Sequence, residues 1–141
     1  MPSVMGVTPL MAAAGLGMRS VSPRFDPTAK DAQDRAIATL EILSAAGADV
    51  GVNARMTVKD RTARMGRGGT LPERDGQSAI FGAVQWGWPR VVKYLIDHGA
   101  EVAIKDDRGM SPLDGALGRS SIKDIRPSPA VAKILRTALG Q

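Results

Sequence analysis

The apolar residues of this chain recur at helical spacing in short runs that glycines separate. Between Asp75 and Asp107 there are two such runs, one after a serine and one after a proline, and a glycine follows each. Apolar residues three and four positions apart form one face of a helix, and a following glycine marks its end. The stretch therefore predicts two short helices, one over about Ala79–Trp86 and one from Pro89 to just before Gly99, and then a loop.

The same pattern returns at a fixed offset. The run GQSAI at 76–80 is followed 33 residues later by GMSPL at 109–113, and GVTPL stands at 6–10. A period of about 33 residues with a Thr-Pro-Leu helix start is a signature of ankyrin repeats. The chain resembles this family over its whole length. The resemblance implies an all-α solenoid of stacked helix-turn-helix units with hairpin-like loops between them.

By this resemblance the chain is a single domain of three repeats, similar to the C-terminal part of a larger bacterial ankyrin-repeat protein. Its parts are repeat 1 at about 1–54 with an insertion at 16–34, a finger at 55–74, repeat 2 at about 75–107, and repeat 3 with a C-terminal cap at 108–141. The first apolar residues, among them Val4 and Met5, have almost no charge near them. Because a repeat cannot bury its apolar face alone, we expect further repeats or domains upstream of Met1.

Repeat 1 is about 18 residues longer than repeat 2. An inner helix starts at Thr8, and a second helix is predicted over about Thr28 to Ala46, with Thr28 or Asp31 as its cap. Spacing places four of its residues on the side that faces the stack: Ile37, Leu40, Ile42 and Leu43. In repeats 2 and 3, Ser78 and Ser111 are the predicted caps of the inner helices.

The connection between repeats 1 and 2 is about 19 residues longer than the next one, and it is basic. The chain carries a net charge of +5, and residues 55–74 hold six cations against two carboxylates. We call this segment the basic finger. Such a segment attracts an acidic protein surface, anionic lipid, polysaccharide or nucleic acid. A solvated loop without a partner explains the same residues, so a solvated loop, an acidic protein partner and nucleic acid stay open.

The resemblance also implies where a partner is bound, because these domains use their concave inner-helix face and the edges of their fingers. Carried over position by position, the candidate contact residues are Arg61, Arg64, Arg67, Arg74, Asp75, Gln77, Gln85, Trp86, Asp107, Arg108, Met110 and Arg119. Trp86 has two interpretations, a binding anchor or a cover for the insertion of repeat 1. Phe81 and Trp88 stand where the family usually has histidine, and both are predicted to pack.

Catalytic signals are few. The absence of cysteine excludes disulfides, zinc–thiolate sites and thiol catalysis. His98 is the only histidine and ends a helix, where a cation suits the helix dipole. Asp106 and Asp107 fall in a turn, where aspartate commonly bonds the nearby backbone. The sequence thus predicts no enzyme, no metal site and no cofactor. No apolar run approaches the ~18 residues of a membrane span, and the compartment stays open.

These observations predict a non-catalytic protein–protein interaction module that binds through its concave inner-helix face and its basic finger. The alternatives are nucleic-acid or polyanion binding through the finger, and an accessory domain of a larger, possibly exported, enzyme.

Overall fold

The computed structural model describes residues 7–16, 30–56, 76–119 and 127–141. Within these ranges the chain forms six α-helices and one short 3-10 helix and contains no strand. In chain order they are α1 (Pro9–Ala13), α2 (Ala32–Ala45), the 3-10 helix (Ala48–Gly51), α3 (Ala79–Trp86), α4 (Pro89–Asp97), α5 (Pro112–Ala116) and α6 (Pro129–Ala138). Residues 17–29 of the insertion of repeat 1 and residues 57–74 of the basic finger lie outside the described residues.

The helices form three pairs stacked in two layers. Within each pair α1 packs on α2, α3 on α4 and α5 on α6. Across the pairs, α1, α3 and α5 contact one another in sequence and form the inner layer, while α2, α4 and α6 form the outer layer. The predicted all-α stack of helical pairs is therefore confirmed. None of the helices described is long and apolar enough to cross a membrane.

Polar caps and prolines fix where two inner-layer helices begin. The Thr8 hydroxyl accepts a hydrogen bond from the Met11 amide, and the Ser111 hydroxyl accepts one from the Asp114 amide, both at 3.2 Å. Proline follows each cap, at a position where its missing N–H is not needed. These helix starts are as predicted.

The central repeat departs from this pattern. The Ser78 hydroxyl makes no capping bond, and it is buried without a hydrogen-bond partner among the described residues. The Phe81 amide, which a capping side chain would take, donates instead to the Ser78 carbonyl oxygen at 3.1 Å. Ser78 is therefore the N-cap residue of α3 as predicted, and α3 has the predicted bounds, but the expected capping bond from the Ser78 side chain is not formed.

Helix α2 begins at Ala32, later than the predicted Thr28, which lies outside the described residues. Lys30 and Asp31 form a turn before it, and the Asp31 side chain makes no cap bond. Its carboxylate lies 3.3 Å from Arg35 Nε instead. The helix starts where that turn ends.

One residue of α2 was placed on the wrong side. Leu40 is fully buried, and Ile37 and Leu43 pack against the core as predicted, whereas Ile42 is 72% exposed. Two positions along a helix are about 200° around its axis, so a residue that follows Leu40 by two points away from the stack. The prediction for Ile42 is therefore wrong.

The inner layer is packed closely through two glycines that are 33 residues apart, Gly82 on α3 and Gly115 on α5. A Cβ at Gly82 would lie against the Leu16 amide nitrogen and 2.8 Å from the Ala14 carbonyl oxygen. One at Gly115 would lie 3.2 Å from Val84 Cγ1. A distance under about 3 Å cannot be relieved where the neighbour is backbone. Gly82 therefore sets how closely the first two pairs approach.

Candidate functional site

Most of the candidate residues lie on the two segments that join successive helical pairs. The first connection (residues 46–78) joins α2 to α3, and the second connection (98–111) joins α4 to α5. Met56 N donates to the Gln77 carbonyl oxygen at 2.7 Å, and Asp106 N donates to the Met110 carbonyl oxygen at 2.9 Å. Gln77 and Met110 are one 33-residue period apart, so Met56 is the structural equivalent of Asp106. Most of the additional length of the first connection thus lies between its two closing residues.

The second connection is a tight turn that Asp106 organises. Its Oδ1 accepts the amides of Arg108 at 2.9 Å and Met110 at 3.0 Å, and its Oδ2 accepts the Gln77 side-chain amide at 3.2 Å. The carboxylate is only 7% exposed, and these three donors satisfy it. The prediction that this aspartate bonds the nearby backbone is confirmed. In the part of the chain described, no group of three or more His, Cys, Asp or Glu could hold a metal ion.

At the position where the second connection has the charged Asp106, the first connection has the apolar Met56. Met56 is fully buried, and its carbonyl oxygen accepts a second closing bond from Gly76 N at 2.8 Å. Gly76 has φ +82°, and a Cβ there would meet the Asp107 carboxylate and lie 2.7 Å from the Asp107 amide nitrogen. The returning end of the first connection therefore lies directly against the turn of the second.

Two further side chains of the first connection bind the segment that leads into the second. Arg55 Nη2 donates to the Lys105 carbonyl oxygen at 2.7 Å. The Asn53 side chain donates to the Gly99 carbonyl oxygen at 2.9 Å and accepts from Glu101 N at 2.8 Å. Sequence reasoning missed Asn53, because an asparagine in a loop does not by itself show which backbone it meets. The two connections are consequently bonded side by side along their bases.

The candidate residues other than Trp86 divide into three groups. Arg61, Arg64, Arg67, Arg74 and Asp75 lie outside the described residues. Asp107 and Arg108 are exposed on the second connection, Met110 is half-buried beside them, and Arg119 is exposed just after α5.

Gln77 and Gln85 form the third group, because they are only 4% and 2% exposed. The Gln77 amide already donates to Asp106. Seven of the eight residues of α3 are buried, and α1 and α5 both contact it. A partner cannot reach either glutamine in this conformation, so the expectation that they form part of an open concave face is corrected.

Trp86 lies at the junction of the first two pairs. Its indole Nε1 donates to the Gly15 carbonyl oxygen at 3.0 Å, and its ring centroid is 6.5 Å from that of Trp88. Trp88 is 3% exposed and Phe81 is 6% exposed, so the prediction that both pack is confirmed. Of the two interpretations of Trp86, the geometry favours the structural one. The ring covers the end of α1, where the insertion of repeat 1 begins.

Two titratable side chains, those of His98 and Asp114, make contacts within the fold at helix ends. His98 at the end of α4 stacks on Tyr94 with ring centroids 4.1 Å apart, and its Nδ1 lies 3.4 Å from the Ser44 hydroxyl. A hydrogen bond from the Ser111 backbone amide holds the pKa of Asp114 below its usual value, with smaller lowering contributions from the Ser111 hydroxyl and the Arg119 charge. Both groups fix helix ends.

Comparison with known families gives one match. Residues 75–107 match the family model described as Ankyrin repeat. The matched segment includes the whole of α3 and α4 and the first ten of the 14 residues of the second connection. A search of curated proteins finds no match to the chain.

Proposed function

Since residues 75–107 match the ankyrin repeat family, whose repeats generally act as protein–protein interaction modules, we propose that this chain binds a protein partner and catalyses no reaction. The proposed contact surface is the row that the two connections form, extended by the basic finger. The partner surface that fits this row is acidic.

The observation that carries the proposal is the bonding of the two connections to each other. Arg55 reaches Lys105, Gln77 reaches Asp106, and Gly76 lies against Asp107. A partner that meets the exposed turn of the second connection therefore also meets the base from which the basic finger leaves. Contacts held by a rigid base lose less conformational entropy when a partner binds.

The charge of this row supports an acidic partner. Three cations, Arg55, Lys105 and Arg108, and two carboxylates, Glu101 and Asp107, are exposed on the described part of the connections. Residues 57–74 add five cations and two carboxylates by sequence. Complementary charge raises the association rate and helps to select the partner more than it raises affinity.

The row replaces the concave inner-helix face as the main proposed contact. Gln77 and Gln85 are buried, and Trp86 bonds Gly15. Arg108, Asp107 and half-buried Met110 keep their predicted role in this proposal, together with the finger arginines Arg61, Arg64 and Arg67.

Affinity capture with the full chain, followed by calorimetry with each purified partner found, tests this function. The triple variant Arg61→Ala/Arg64→Ala/Arg67→Ala should weaken partner binding at least tenfold. The matched control Lys30→Ala/Arg35→Ala/Arg90→Ala removes the same charge from around α2 and α4 and should change affinity less than twofold. Because Arg90 and Arg35 form ion pairs there, circular dichroism first establishes that both triple variants fold. Equal losses in both triples would mean that only net charge matters and would overturn the proposed row.

Nucleic acid is the other outcome of the same experiment. Single-stranded DNA and RNA of about 20 nucleotides are titrated into the wild type at about 50 and 200 mM salt, where phosphate-driven binding falls steeply. Salt-sensitive binding that the finger triple abolishes, with no protein partner captured, would replace the protein-binding proposal by polyanion binding.

A further inference from the structure

The outer layer, formed by α2, α4 and α6, carries a second charged surface. Between α2 and α4 its cations are paired. Arg90 bonds the Asp34 carboxylate and its amide donates to Gln33 Oε1 at 2.9 Å, while Arg35 pairs with Asp31 at 3.3 Å. The Arg90 contacts tie α4 to α2, whereas the Arg35–Asp31 pair lies at the first turn of α2.

The cations around α6 are arranged differently. Lys93, Lys133 and Arg136 are exposed, and in the described residues none of the three forms an ion pair. Lys93 and Lys133 stand on facing helices, α4 and α6. They flank the same cleft, of about 530 Å³.

This cleft has an apolar floor. Ile96 from α4 and Ile134 from α6 are half-buried against the core, and Ala138 continues the floor toward the end of α6. Asp97 also lines the cleft, so its edge carries two ammonium groups and one carboxylate. Arg136 lines a neighbouring cleft of about 490 Å³ on the other side of α6, and Lys133 lines both. The cleft between α4 and α6 therefore combines apolar side chains from both helices with a net positive charge.

We propose that the cleft between α4 and α6 binds an acidic amphipathic helix of a protein partner. A groove between two packed helices accepts the side-chain ridge of a third helix at 8–10 Å between axes. An apolar stripe at i, i+3, i+4 and i+7 meets Ile96, Ile134 and Ala138, as in other helix-in-groove complexes. Carboxylates beside the stripe meet Lys93 and Lys133.

The absence of a sheet edge in the described part of the chain rules out an added β-strand as the occupant. A peptide that binds in that way pairs with the edge of a sheet, and the described residues contain no strand that could supply one. Helix α6 has 10 residues, which is about 15 Å of helix. The bound segment is accordingly about three turns long. This site is independent of the connection row, because it shares no residue with it.

The test uses a fluorescein-labelled 14-residue helical peptide with leucines at i, i+3, i+4 and i+7 and glutamates on both flanks. Fluorescence polarisation with the full chain should give saturable micromolar binding. Lys93→Glu/Lys133→Glu should weaken it at least tenfold. The matched control Lys30→Glu/Arg35→Glu, which makes the same charge change on the side of α2, should stay within twofold. Circular dichroism establishes that both variants fold.

Three results would overturn the proposal. The first is the absence of saturable binding below about 1 mM peptide. The second is equal binding of a scrambled peptide with the same composition, since charge alone would then explain the affinity. The third is a wild-type protein that does not bind the peptide but sediments with vesicles of phosphatidylcholine and phosphatidylserine (3:1), while the lysine variant does not sediment. That result would assign the surface to a membrane. The Arg61/Arg64/Arg67 triple should leave peptide binding unchanged, so failure of the connection row and failure of this site can be told apart.

Discussion

Met56 and Asp106 hold the same position in the two connections, and each closes its connection with a backbone hydrogen bond of 2.7 or 2.9 Å. Three residues separate the closing pair in the second connection, and 20 separate it in the first. A tight turn leaves amides that need an acceptor, and the Asp106 carboxylate supplies it. With the long connection an apolar side chain stands there instead, and Met56 adds to the core. The comparison shows that a repeat stack tolerates a long insertion where the closing pair is kept, because closing a longer loop costs little additional entropy.

The largest expected loss of stability comes from truncating Met56, the apolar residue of the pair compared above. Met56→Ala should lower the free energy of unfolding by roughly 2–5 kcal/mol, since a fully buried side chain leaves a cavity. Urea denaturation followed by circular dichroism measures the loss. Met110→Ala, at the half-buried equivalent of Gln77, is the control and should cost clearly less. A loss under about 1 kcal/mol at Met56 would show that the first connection does not contribute to the core.

The second prediction concerns Asp106, the charged residue of the same pair. Asp106→Ala leaves the Gln77 amide and the turn amides without their acceptor, and should cost about 1–3 kcal/mol. Asp106→Asn keeps one carboxamide oxygen for the turn amides and should cost less. If Gln77→Ala is as harmful in the Asp106→Ala background as in the wild type, the two side chains are not coupled, contrary to the bond at 3.2 Å.

The third prediction concerns the serines that follow the two closing pairs. Ser111→Ala removes a capping box and should cost about 1 kcal/mol. Ser78→Ala removes a buried hydroxyl without a hydrogen-bond partner, so stability should stay the same or rise slightly. Thermal unfolding of the two variants side by side compares them. A similar loss in both would mean that Ser78 caps α3 in solution.

The smallest effect is the pH dependence of the cap after the second connection. The Ser111 amide holds the pKa of Asp114 below its usual value of about 4. A lowered carboxylate pKa stabilises the fold above the unfolded-state value, and that contribution disappears as pH falls through the folded-state value. Urea midpoints between pH 3 and 6 should fall less steeply toward acid in Asp114→Asn than in the wild type. Parallel curves would contradict this role.

The features that the sequence predicted are mostly local. The start and end of α3, the proline that opens α4 and the caps Thr8 and Ser111 each depend on residues within one turn. The equivalence of two repeats could be counted from the 33-residue offset. Local helix signals and the 33-residue repeat period were therefore sufficient to predict the fold.

The features that it missed depend on contacts between repeats. Gln77 and Gln85 occupy positions that face a partner in the family, yet here the central inner helix is buried along nearly its whole length. Which backbone Asn53 and Trp86 would meet, 46 and 71 residues away, has no signal in their own neighbourhood. For these reasons the proposed contact surface is that of the connections and not that of the inner helices.

Gly82 and Gly115 set a condition on how such a stack grows during evolution. Each faces the preceding repeat where a side chain would collide with backbone or touch Val84. A tandem duplication of one whole period carries its own docking glycine and needs no compensating change in its neighbour. A helical pair acquired from another source, with a large residue at that position, would not seat. Duplication of one of its own repeats is thus the accessible way to lengthen this helical stack, in evolution and in protein engineering.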